Sequence, residues 1–155
     1  MIDIELVRRE MTAELVRAGR RWRSTAERTF SPLDISEPRA APLIWIGRLG
    51  GGVWQSTVAK EIGIRAPTLA QLVSQLEAAG LIERRDDTED RRAKCLWLTE
   101  DGANLVVKLE QILNELRAEI LSSFEPAEIT TALQVLRAFG AKASKSRARR
   151  FGTNI

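Results

Sequence analysis

The chain has no histidine and no tyrosine, a single cysteine, and no apolar run near the ~20 residues that a membrane-spanning helix needs. Without histidine, a His-based metal centre, a Ser–His–Asp triad and a Cys–His dyad are all excluded. One cysteine, Cys95, forms neither an internal disulfide nor a thiolate cluster, which fits a reducing compartment. Met1-Ile2-Asp3 opens no signal peptide, so the sequence reads as a cytoplasmic protein with no membrane segment and no cofactor. Charge of one sign is scarce too: 24 basic residues stand against 21 acidic ones, a net of +3. Ala141 to Ile155 carries five basic residues and no acidic one, leaving the first 140 residues with 19 basic against 21 acidic, a net of −2. The body is therefore not generally basic, and any nucleic-acid surface on it is local.

What is present is enough for one ordinary core, with 155 residues of which 44% are hydrophobic. Ile4, Val7, Met11, Leu15, Ala18, Trp22 and Ala26 recur every three or four residues, which predicts one long helix to about Phe30. Such a helix is about 40 Å long. A domain of this size cannot cover that length with its own core, so part of the stripe is expected to meet a second chain. Ser31-Pro32-Leu33-Asp34 breaks the helix. A second helix, capped by Ser36, buries Leu43, Ile44, Ile46 and Leu49 and ends at Gly50-Gly51-Gly52. Val53-Trp54-Gln55 is long enough only for an edge strand. Ser56 is expected to cap a third helix over Thr57 to Ile62, closed by Gly63. A fourth runs from Ala66 to Ala79, stopped by Gly80, and buries Leu69, Leu72, Val73 and Leu76. Its other face, Pro67, Thr68, Ala70, Gln71, Ser74 and Gln75, is small, polar and uncharged, where most solvated helix faces carry Lys and Glu. Leu81–Arg85 and Lys94–Leu98 read as a hairpin with a charged tip. Thr99 caps a fifth helix to about Ser122, and a sixth starts near Pro126 and ends at Gly140 with Ile129, Leu133, Leu136 and Phe139 inward.

Helix, short strand, helix, tight turn, helix and hairpin, with long helices on both sides, make a mainly α chain with a small β-wing: a winged helix-turn-helix core flanked by long helices. The expected divisions are an N-terminal helix (1–35), a winged-helix lobe (36–99), C-terminal helices (100–140) and a disordered basic tail (141–155); the family resemblance given next implies that the flanking helices serve dimerisation. In this motif the second helix of the pair enters the major groove and the wing reaches the neighbouring minor groove.

The phrases Ser56–Ile64, Leu76–Arg84, Asp90-Arg91-Arg92-Ala93-Lys94 and Leu98-Thr99-Glu100-Asp101-Gly102 resemble the MarR family, and the wing phrase resembles its SlyA-like branch. The resemblance spans essentially the whole chain. It implies a homodimeric transcription factor whose first, fifth and sixth helices form the dimer interface. It also implies a pseudo-palindromic site on double-stranded DNA and release by a small aromatic or carboxylate effector or by thiol oxidation. In its terms Arg91 enters the minor groove, with Asp90 orienting its guanidinium. Arg65 and Lys60 are candidate phosphate contacts, and Arg85, Arg92 and Lys94 complete the basic set on the wing.

Gln71 and Gln75 are suited to paired hydrogen bonds with adenine; Thr68 suits phosphate or a thymine methyl, and Pro67 and Ala70 a thymine methyl. The family often carries Arg where Gln71 stands, so this chain leans from guanine toward adenine. Trp22 and Trp45 with Arg48 are the candidate effector contacts, their plain alternative being core filling. Val7, Met11, Leu15, Leu113, Leu116, Ile120, Leu133 and Leu136 are the candidate dimer residues. Cys95 reads as a structural thiol, since no second cysteine resolves a sulfenate. Two rival readings are an interaction module that no longer binds DNA and an enzyme using carboxylates such as Asp86 and Asp90. Nothing at an exposed hairpin tip raises a carboxylate pKa, which counts against the enzyme.

Overall fold

A computed structural model describes residues 2–90 and 93–150. Its elements are α1 (Ile4–Phe30), a 3-10 turn (Ser31–Leu33), α2 (Glu37–Arg48), β1 (Val53–Trp54), α3 (Gln55–Ile62), α4 (Ala66–Ala78), β2 (Ile82–Asp86), β3 (Lys94–Leu98), α5 (Glu100–Leu121) and α6 (Pro126–Arg150). The sheet has the order β1-β3-β2 and is antiparallel throughout, with Val53 opposite Leu96 and Arg85 opposite Cys95. The mainly helical winged-helix architecture is the one the sequence pattern predicts. Among the described residues no helix is long and apolar enough to cross a membrane.

The chain divides into two compact units, Met1–Asn114 and Glu115–Ile155. In the first unit Phe30, Leu43, Ile46, Val58, Leu69, Val73, Leu76, Ile82, Leu96 and Leu109 form one buried core. The end of α1 (Ala26, Phe30) and the first half of α5 (Leu109, Leu113) supply core to the winged helix and belong to its body. In the second unit the apolar residues of α6 that were expected inward, Leu133, Leu136 and Phe139, are exposed. Leu133 and Leu136 line, with Leu121, Phe124 and Ile129, an apolar groove of about 500 Å³.

Helix ends follow local chemistry, with four departures from expectation. Asp3 caps α1, its carboxylate accepting the N–H of Glu5 at 3.0 Å and Leu6 at 3.1 Å. Ser36 stands at the N-cap of α2 but makes no side-chain cap bond; the Glu27 carboxylate of α1 accepts the Glu37 N–H instead. Leu49, expected to be buried, is the exposed C-cap of α2 and begins the turn to the glycines. The N-cap of α3 is Trp54, not Ser56, because pairing with β3 holds Trp54 extended and the helix starts directly after it. Gly140 does not end α6, which continues to Arg150 through the stretch expected to be disordered. No proline follows that glycine, and Ala and Lys are strong helix formers that propagate an existing helix.

Close approach explains Gly51, Gly52 and Gly102. Gly51 and Gly52 have φ +77° and +63°, and a Cβ on either would lie within 2.8 Å of the Trp97 ring. Trp97 thus lies on the glycine elbow, and the Arg85 guanidinium stacks on it at 4.9 Å. A Cβ on Gly102 would overlap the carbonyl oxygen of Leu81. Thr99 closes the same junction: its hydroxyl donates to the Gly80 carbonyl at 2.6 Å and accepts the Gly102 N–H at 3.0 Å.

Candidate nucleic-acid interface

The helix-turn-helix pair is α3 and α4. Gly63 closes α3 with φ 77°, a left-handed conformation that glycine adopts without steric cost. Arg65 is the extended N-cap of α4, and Pro67 occupies its first turn, where the missing N–H leaves no bond unmade. Leu69, Val73 and Leu76 are fully buried, each worth about 1.5–3 kcal/mol, and they fix the rotation of the helix. That rotation exposes Arg65, Pro67, Thr68, Gln71, Ser74 and Gln75. The exposed stripe is thus the small, uncharged face picked out in the sequence, and Gln71 and Gln75 stand one turn apart on it. Ser74 is engaged: its hydroxyl donates to the Ala70 carbonyl and accepts the Arg84 guanidinium, each at 3.0 Å. Arg84 also pairs with Glu77 at 3.4 Å, linking β2 to the end of α4.

Behind α4, a cavity of about 230 Å³ is lined by Arg23, Glu37, Pro38, Ala41, Ile62, Ile64, Thr68 and Leu72. Burial pushes the Glu37 carboxyl above the usual carboxylate range, with Arg23 opposing the shift and Glu27 adding to it. Arg23 reaches the Ile62 carbonyl at the C-terminus of α3 at 3.5 Å.

On the wing, Arg91 and Arg92 lie outside the described residues. Arg85 pairs with Glu83, and Lys94 with Asp86 across the strands, so both cations are engaged within the hairpin. Asp90 accepts the Ala93 N–H through its carbonyl at 2.9 Å. The loop is organised by Asp87, to which the sequence pattern gave no individual role. One oxygen, Oδ1, accepts the backbone N–H groups of Glu89 at 2.8 Å and Asp90 at 3.3 Å. The other, Oδ2, accepts the Trp54 indole at 2.6 Å and the Cys95 thiol at 3.3 Å. The Trp54 bond first, then those of Glu89, Cys95 and Asp90, hold the Asp87 carboxyl down at about 2. Cys95 is buried, and burial together with the Asp87 carboxylate pushes its thiol up, so it stays protonated.

A family model described as "MarR family" matches residues 33–93, from the 3-10 turn to the wing. Transcriptional regulator PA3341 is 31% identical over 87% of this chain and 98% of its own, with a TM-score of 0.82. The chain belongs to the MarR family. The matched family and PA3341 are transcriptional regulators, and this chain has their fold. The fold is likewise similar to that of a putative MarR family transcriptional regulator from Listeria monocytogenes, complexed with 26mer DNA. That match has 20% identity, covers 93% of this chain and 95% of that one, and has a TM-score of 0.81. CouR from Rhodococcus jostii RHA1, bound to p-coumaroyl-CoA, matches at 21% identity over 94% of each chain, with a TM-score of 0.77.

The other candidates of this MarR-family chain divide by burial. Trp22 and Trp45 pack against the core. The Arg48 guanidinium lies over Trp45 at 5.3 Å and makes a two-point contact with Glu110, at 2.5 and 3.0 Å. Its Nε and Nη2 are engaged by that carboxylate. Leu113 is only 4% exposed and belongs to the core of its own chain, which removes it from the dimer candidates. Leu116 is half-buried. Val7, Met11, Leu15, Ile120, Leu133 and Leu136 are exposed.

Proposed function

We propose that this protein is a homodimeric, sequence-specific DNA-binding regulator of the SlyA-like kind. In this reading α4 enters the major groove of each half of a pseudo-palindromic promoter site, and Arg91 enters the adjacent minor groove. The observation that carries it is the exposed face of α4. Three buried aliphatic side chains hold a stripe with no acidic residue toward solvent, and two glutamines one turn apart fit paired hydrogen bonds to adenine. An acidic residue there would repel phosphate, and a surface kept only for solubility would carry charge. The Listeria monocytogenes protein of the same fold was crystallised with DNA, which supports the same use here.

Homodimerisation is supported by the exposed apolar row of α1 (Ile4, Val7, Met11, Leu15) and by the groove of the second unit, apolar surfaces that a single chain leaves in water. Release by a small effector is supported by the cavity behind α4, whose walls include Thr68 and Leu72 of that helix. A molecule wedged there bears directly on the placement of α4. CouR, with the same fold, was crystallised with an acyl-CoA, which supports ligand control in general without naming the ligand of this chain.

The test is in vitro selection from fragmented source DNA, with wild type beside Arg91→Ala at physiological salt. Enrichment of a pseudo-palindrome by wild type, and its weakening by about 1–3 kcal/mol in the variant, is the expected result. A folded dimer that enriches no sequence refutes the proposal and favours the interaction-module alternative.

A further inference from the structure

We propose that Asp87 positions the wing relative to the helix-turn-helix, acting through Trp54, so that the DNA-contacting tip and α3 keep one fixed relation. The Asp87 carboxylate reaches in two directions. Through Oδ1 it gathers the N–H groups of Glu89 and Asp90, the residues that lead directly into Arg91. Through Oδ2 it crosses to Trp54, which is both the last residue of β1 and the N-cap of α3. The thiol of Cys95, on β3, fills the remaining site. A carboxylate offers about four acceptor directions, and all are used here. Because the acceptor is charged, these bonds are stronger and more directional than neutral ones. Two further bonds close the loop: the Asp87 N–H donates to Ala93 at 3.1 Å, and Ala93 donates to Asp90.

Two features separate this role from ordinary packing. Trp54 is 52% exposed, so the core does not hold its ring; the bond to Asp87 does. The neighbouring carboxylates Asp86 and Glu83 pair with cations, whereas among the described residues Asp87 bonds neutral donors, which makes its contribution there one of placement. Without it the loop loses two turn-forming bonds and its only tie to α3 among the described hydrogen bonds. The tip then samples orientations that must be restricted again on DNA.

This inference rests on the wing reading proposed above. It is tested with Asp87→Ala, Asp87→Asn, Trp54→Phe, Arg91→Ala and the Asp87→Ala/Arg91→Ala double variant. Each is titrated against the selected DNA, with thermal midpoint, dimer state and the Trp54 indole N–H signal in NMR measured alongside. Asp87→Ala is expected to lower affinity about tenfold, with an unchanged dimer, a midpoint within a few degrees of wild type and a displaced Trp54 indole signal. Asp87→Asn keeps part of the affinity, because its amide oxygen still accepts the loop N–H groups. Trp54→Phe, at an exposed ring, weakens binding in the same direction without risk to the core. In the Arg91→Ala background, loss of Asp87 costs nothing further, since the residue acts through the tip. Wild-type affinity in both Asp87→Ala and Trp54→Phe, or an undiminished Asp87 effect in the Arg91→Ala background, overturns the role. If Arg91→Ala itself leaves affinity unchanged, the wing reading fails and Asp87 loses its proposed role with it. If Arg91→Ala weakens binding while Asp87→Ala does not, the wing reading survives and only the positioning role falls.

Discussion

Gly102→Ala and Gly19→Ala are the same substitution inside two helices, and the structure gives them opposite signs. At Gly19 an added methyl meets nothing within 4 Å. The change there removes the conformational freedom of glycine from the unfolded chain and is expected to stabilise by about 0.5–1 kcal/mol. At Gly102 the same methyl overlaps the Leu81 carbonyl oxygen and lies 3.0 Å from its carbon, both backbone atoms that cannot rotate away. Relief requires the start of α5 to move, and that strains the 3.2 Å bond from Thr99 N–H to Leu81 and the two Thr99 hydroxyl bonds. Overpacking costs about 1–3 kcal/mol and loss of a cap about 1. Set against the propensity gain of about 1 kcal/mol, the net is a destabilisation of about 1–3 kcal/mol. At about 2–4 °C per kcal/mol for a chain of this size, the midpoint falls by roughly 2–12 °C. Thermal unfolding by circular dichroism, at one protein concentration for all variants, reads both changes. A Gly102→Ala midpoint at or above wild type would falsify the close-approach account of this glycine.

Three further outcomes are expected. Glu37→Gln raises the midpoint at pH 7, because burial holds the folded carboxyl above its unfolded value. The stability this group contributes is therefore fully present only at low pH and is lost as pH rises through the folded value. The advantage shrinks as pH falls toward 4, and a midpoint at pH 7 below wild type contradicts it. Leu15→Glu places a charge on the exposed row of α1, away from the core, and is expected to give folded monomers at micromolar concentration in light scattering; an unchanged dimer removes that row from the interface. Gln71→Ala is expected to relax base preference in the selected site more than it lowers overall affinity, and an equal loss on every sequence makes Gln71 a non-reader.

Punctuation and period made most of the fold legible in the chain. Steps of three and four along α1, Gly63 between α3 and α4, Pro67 in a first turn and Thr99 before α5 are local instructions, and each acts where it stands. The uncharged face of α4 was legible for the same reason, since helical spacing alone puts Thr68, Gln71 and Gln75 on one side. Readings that failed were those needing a partner distant in sequence. Ser56 yields to Trp54 because β3, some forty residues later, holds Trp54 extended. Arg48, a candidate effector contact, pairs with Glu110 across the fold, a partner that its own neighbourhood in sequence does not announce. Leu113, in register with the dimer stripe, is claimed by its own core.

The sequence alone thus determined the order of elements, the family phrases, the absence of histidine chemistry and the chemical character of the face offered to a partner. Tertiary structure alone decided which residues of an apolar stripe are buried at home and which remain exposed, and which charges are already paired. It also decided that Asp87 joins the wing to α3 through Trp54. The physical reason is range. Helix caps and periodicity act over a few residues, whereas hydrogen bonds and close packing depend on distances that exist only after residues far apart in the chain have been brought together.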